Sequence, residues 1–64
     1  MNGKFLIKKL LEAGWVSQGM RGSHEKLFNP SHPELGAVIV PVHGAKDIPI
    51  GTLKSIERQT KMKF

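Results

Sequence analysis

Residues 19–28 read GMRGSHEKLF, and the fold turns on whether this stretch is a loop or a hairpin. Gly19 and Gly22 bracket Met20 and Arg21, and glycine reaches turn conformations that other residues avoid. SHEKLF at 23–28 has the make-up of a returning strand, and WVSQ at 15–18 alternates weakly ahead of the glycines. The pattern predicts a β-hairpin turning at 19–22. RGSH is also how a common affinity tag begins, but a tag scar lies at a terminus and runs on into further histidines. The mid-chain position marks Ser23 and His24 as native sequence.

Upstream, residues 3–13 carry Leu6, Ile7, Leu10, Leu11 and Ala13 at helical spacing, with Lys4, Lys8 and Lys9 on the opposite side. Asn2 is suited to cap this helix, and Gly14 stands where a left-handed residue ends one. Downstream, NPSHPELG at 29–36 holds two prolines, an asparagine and a glycine, and reads as a loop. AVIVPV at 37–42 is β-branched and continuous, the mark of a buried or central strand, with Pro41 at its end or at an edge. After the loop HGAKD, residues 48–60 read as a second helix. Pro49 falls in its first turn, Asp47 lies near its positive end, and Leu53 and Ile56 form its apolar stripe. Glu57 and Lys61 are spaced as a favourable pair, and the tail from 61 is expected to fray.

The element order is helix, three strands, helix. Each helix has one apolar stripe to bury, so both are expected on one face of a three-stranded antiparallel meander. That is an α+β fold, formed by residues 1–64 as a single domain. The other sheet face then stays uncovered. Leu27 and Phe28 are neighbours and point to opposite faces, so one of them lies outside the core.

Composition narrows the function. The 64 residues hold ten Lys+Arg against five Asp+Glu, a net charge of +5 with a pI near 10.0. Such a density of positive charge favours polyanions: nucleic acid, anionic lipid or an acidic protein. There is no cysteine, which fits a reducing cytoplasm and removes disulfides and thiolate zinc sites. No signal peptide and no membrane-spanning run is apparent, because Lys4, Lys8 and Lys9 interrupt the first apolar stretch. The chain lacks a GxxxxGK[ST] phosphate loop and an HExxH motif, and its five carboxylates are scattered. A two-carboxylate hydrolase is poorly supported.

Three histidines remain: His24, His32 and His43. A zinc site would need all three to converge from a strand and two loops, so no metal or other cofactor is expected. His32, between Ser31 and Pro33, reads as solvated. His24 opens a strand straight after a turn, so a rigid scaffold would present its ring. Imidazole titrates near neutral pH, as a general acid or base for phosphodiester cleavage must. RNA carries its own nucleophile, the 2′-hydroxyl. The enzyme need only move protons and stabilise the phosphorane with Lys or Arg. Arg21 and Lys26 are candidates for that contact, with Ser23 beside them. On spacing alone, a histidine that merely hydrogen-bonds across the hairpin is the slightly better account of His24. The start of the second helix, with Lys46 ahead of it, is a further candidate phosphate site, and ordinary capping is the competing reading. Lys54 and Arg58, with Lys46, would form a surface that tracks a nucleic-acid backbone.

Four segments, LIKKLLEAGW, GSHEKLF, VIVPVH and IGTLKSIERQ, in that order over residues 4–60, resemble the HicA (YcfA-like) family of bacterial toxins. The resemblance implies a double-stranded-RNA-binding-like α-β-β-β-α fold and ribonuclease action on mRNA without a cofactor. It implies that the essential histidine of the GSH motif is His24. It also implies neutralisation by a HicB-type antitoxin, with the toxin a monomer alone and a hetero-oligomer with its partner, repressing its own operon. Two departures stand out: many relatives have a histidine where this chain has Glu25, and many end in QAG where this one runs QTKMKF. Set against a metal-independent endoribonuclease are a non-catalytic RNA-binding module of the same fold and a basic domain for an acidic protein partner.

Overall fold

Helix α1 (Gly3–Glu12) starts and stops where the sequence puts its signals. The Asn2 side chain accepts a hydrogen bond from the Phe5 N–H at 2.9 Å, satisfying one of the free donors of the first turn. At the other end Gly14 takes a φ of 97°. The Gly14 N–H then donates to the Leu11 carbonyl and the Trp15 N–H to the Leu10 carbonyl, at 3.1 and 3.0 Å. This is the Schellman arrangement, and its apolar partners Leu10 and Trp15 are both buried. The cap therefore aims the chain from the helix into the sheet and seats the only tryptophan in the core.

The computed structural model describes residues 1–64. After α1 come strands β1 (Val16–Arg21), β2 (His24–Phe28) and β3 (Val38–Pro41), and then helix α2 (Ile50–Thr60), with a short 3-10 turn at Pro33–Leu35 inside the expected loop. The strands form one antiparallel sheet in the order β1-β2-β3, so β2 is central. Leu27, Val38 and Val40 from the sheet join Leu6 and Leu10 of α1 and Ile56 of α2 in one buried cluster. Leu27 is opposite Val38 in the ladder, and Val40 is opposite Glu25 two residues along, so all three project from the same face. Both helices cover that face.

The hairpin departs from its expected boundaries. β1 runs on to Arg21, and the turn is Gly22-Ser23 rather than 19–22. Gly22 has a φ of 62° and Ser23 does not share the positive value, the pattern of a II′ hairpin turn, with glycine at its first central position. Gly19 has a different task. Its φ is 103°, and the register slips between Ser17 and Met20, so Gln18 and Gly19 together face Lys26 as a β-bulge. A bulge on an edge strand also discourages pairing with another chain.

Helix α2 begins at Ile50, not at 48. Ile48 is a core residue whose N–H donates to the Met1 carbonyl at 2.8 Å. Asp47 forms a bridge with Asn2 and lies 3.2 Å from the Met1 amino group, so it ties the two ends of the fold together instead of serving the α2 dipole. At its far end Lys61 turns left-handed, with φ 58° and ψ 31°. That takes Lys61 out of the helix and away from the expected pairing with Glu57, whose carboxylate instead accepts the Phe64 N–H at 2.9 Å. Met62 and Phe64 pack against the core. The tail is held down rather than frayed. Gln59 adds a further tie, donating to the carbonyls of Leu35 and Ala37 and so pinning the loop before β3 to α2.

Candidate functional site

The face of the sheet away from the helices is read from the ladder. Residues directly opposite each other in an antiparallel pair share a face. Arg21 is opposite His24, His24 is opposite Pro41, and Lys26 is opposite Ile39. These five side chains therefore stand on the uncovered face, and Phe28, opposite Val16, extends it. Of the neighbours Leu27 and Phe28, Leu27 is the one in the core, fully buried, and Phe28 lies half-buried on the open side.

A shallow concavity on this face is lined by Gln18, Arg21, His24, Lys26 and Ile39, among others. The Gly19 bulge forms part of its wall. His24, Arg21 and Lys26 are exposed, and Ser23 is half-buried in the turn. Ser23 acts through its backbone: its carbonyl accepts the Val42 N–H at 2.7 Å, one step beyond the last β2–β3 rung. Glu25, the position where the chain departs from the resemblance, alternates to the helix side and is no part of this surface.

The register of β3 brings in a residue that sequence spacing could not place. His43 follows β3 closely, and its ring lies 6.1 Å from that of His24, centroid to centroid, edge to face at 82°. Nineteen positions separate the two in sequence. Only the strand register makes them neighbours. Neither ring has a hydrogen-bonded partner, whereas His32 is engaged by Glu34 at 3.2 Å. That local pair, together with a backbone N–H as the larger cause, holds the Glu34 carboxyl below the usual carboxylate range. His32 lines a different hollow, with Trp15, Asn29 and Leu35.

The remaining candidates divide. Lys46 is exposed in the loop after β3, and its N–H donates to the His43 carbonyl at 3.1 Å, closing a turn next to the His24–His43 pair. Lys54 and Arg58 belong to α2, where they form a separate basic cluster with Lys61 and Lys63. The helices cover the opposite side of the sheet, so this cluster and the histidine face do not form one continuous site. The ion pairs of the molecule are Met1–Asp47, Lys9–Glu12 and His32–Glu34. Arg21, Lys26, Lys46, Lys54 and Arg58 are all outside them. Both surfaces are thus net positive and available to an anion, with Glu57 the one carboxylate lining the α2 cluster. No helix is long and apolar enough to cross a membrane.

A family model described as the HicA toxin of bacterial toxin–antitoxin systems matches residues 3–62 of this chain. Neither the curated proteins nor the solved structures yielded a match.

Proposed function

The chain belongs to the HicA toxin family of bacterial toxin–antitoxin systems, and from that premise we propose that it is an endoribonuclease that cleaves mRNA on the open sheet face. As a toxin of such a system it has a cognate antitoxin. The observation that carries the catalytic reading is the placement of His24. It is exposed at the first residue of the central strand, with Arg21 opposite it and Lys26 two residues along on the same side. A general acid or base has to reach the proton it moves to within about 2.6–3.2 Å, and an exposed ring on a rigid strand end permits that approach.

The chemistry needs little from the protein. One group takes the proton of the ribose 2′-hydroxyl, and the 2′ oxygen forms a new bond to phosphorus. The bond from phosphorus to the 5′ oxygen breaks, and that oxygen receives a proton. The products are a 2′,3′-cyclic phosphate and a 5′-hydroxyl. His24 serves one of the proton transfers. Arg21 and Lys26 stabilise the charge that builds on the phosphoryl oxygens, a role suited to cations beside the scissile phosphate. Ser23 contributes the turn that positions them, Lys46 contacts the RNA backbone beside the cut, and Lys54 and Arg58 meet the RNA only where it continues onto the separate α2 cluster.

A HicB-type antitoxin fits the same face. Ile39 and Val16 are each about half exposed there (47% and 43%), next to uncompensated cations. A partner offering acidic and apolar side chains would cover both at once and occlude His24.

The test is cleavage of labelled RNA by the purified protein in EDTA, comparing wild type with His24→Ala. The variant is expected to lose about 100- to 10,000-fold in rate, the usual range for an acid–base group, and to keep its fold, since His24 is exposed. Equal cutting by the variant would remove His24 from the mechanism. Wild-type binding without cleavage would make this an RNA-binding module, and neither binding nor cleavage would leave its charge to an acidic protein.

A further inference from the structure

An in-line transfer at phosphorus needs two proton transfers, one at the attacking oxygen and one at the leaving oxygen. His24 accounts for one. We propose that His43 is the other: the two imidazoles form a catalytic pair that acts on opposite ends of one phosphodiester. This rests on the endoribonuclease reading and adds the residue which that reading leaves unassigned.

The geometry allows a working pair, at a separation that edge-to-face packing also adopts. Two groups that serve opposite ends of one displacement cannot bond to each other. Each must be free, with room between them for part of a substrate. The rings stand 6.1 Å apart, edge to face, and neither has a hydrogen-bonded partner. Both are exposed. Their backbones are also fixed to one another. His24 pairs with Pro41, and the Val42 N–H donates to the Ser23 carbonyl at 2.7 Å, so the residue before each histidine is joined to the other's neighbour. Beyond His43, Gly44 takes a φ of 61° and Lys46 closes a turn back onto the His43 carbonyl. Two rings that need an exact relation to a small substrate are thereby held by the end of a sheet and a tight turn.

The charged groups around the pair are all cationic on this face. Arg21 lies opposite His24, Lys26 follows two residues along β2, and Lys46 sits in the turn after His43. Glu25 projects to the other side. With no carboxylate on this face to serve as the second acid or base, His43 is the titratable group that the site offers for it.

His43→Phe separates chemistry from packing, because it keeps an aromatic ring at the edge-to-face contact and removes the proton. The proposal expects wild type to cut RNA and His43→Phe to lose about 100- to 10,000-fold in kcat with KM nearly unchanged. His43→Gln should show the same loss, and both variants should melt like wild type. The double variant His24→Ala/His43→Phe should be little worse than either single one, because groups that act as a unit are not additive. A substrate with sulfur in place of the scissile 5′ oxygen leaves without needing a proton. It should restore whichever single variant lacks the acid, and only that one. Wild-type rates in His43→Phe would overturn the pairing while leaving His24 in place, as would rescue of both variants or of neither. If wild type itself does not cut, the endoribonuclease reading fails, and the pairing with it.

Discussion

Strand β2 carries two regions with opposite physics, one residue apart. Leu27 is fully buried, touching the helices through the core, while Lys26 is exposed on the other side of the same strand. On the helix side the core positions are fixed by packing: Leu6, Leu10, Leu27, Val38 and Val40 are at most 1% exposed. On the open side nothing is required by packing. The groups that stand there are cations, two histidines and a few half-exposed apolar side chains. A chain of 64 residues buries only about 60% of its unfolded surface and has little stability to spare. Leaving a whole sheet face uncovered is therefore a cost to the fold, and it makes sense if the face is used.

The comparison can be broken most forcefully at these two neighbours. Leu27→Ala is expected to destabilise by about 2–5 kcal/mol through lost burial and the cavity left behind, a large share of the roughly 3–10 kcal/mol that a chain of this size holds. Lys26→Ala should stay within about 0.5 kcal/mol of wild type in stability, yet weaken RNA binding and lower the slope of binding against salt by about one. Urea denaturation and a salt-series binding assay read the two effects. If the variants behaved alike in either assay, the division of the strand into a structural and a functional face would be wrong.

A smaller effect sharpens the comparison on the helix side. Lys61 ends α2 in the left-handed region, where a side chain other than glycine costs about 1–2 kcal/mol. Lys61→Gly should raise stability by about 1 kcal/mol and leave RNA cleavage within a few-fold, in a melt and a cleavage assay on one preparation. A destabilised variant would mean that the lysine side chain holds the tail through contacts that outweigh the strain.

Much of the fold was legible because its signals are local. Asn2, the periodic leucines and Gly14 define α1 within one short window, and the β-branched run at 37–42 defines β3. What escaped the sequence depends on partners distant in the chain. Gly19 and Gly22 look alike as residues, and only the pairing with β2 makes one a bulge and the other a turn. Ile48 reads as the first residue of a helix until Met1 and the core claim it. Glu57 and Lys61 have the right spacing for an ion pair, but the left-handed turn at Lys61 breaks it. The candidate site divides in the same way. His24, Arg21 and Lys26 lie within six residues of one another and were found together from the hairpin. Lys46 comes near them only through the turn after β3, Lys54 and Arg58 fall in a separate cluster on α2, and His43 reaches His24 only through strand register. That information is not present in spacing.

The central claim, that the open face cleaves RNA by activating the substrate's own 2′-hydroxyl, is tested most directly by the ends of the products. RNA cut by wild-type protein in EDTA should carry a 5′-hydroxyl on the downstream fragment, so that a polynucleotide kinase labels it without prior phosphatase treatment. The His24→Ala protein should yield almost none of that fragment. A 5′-phosphate on the downstream fragment would show that water, not the ribose, attacked the phosphorus, and would contradict the mechanism assigned to this face.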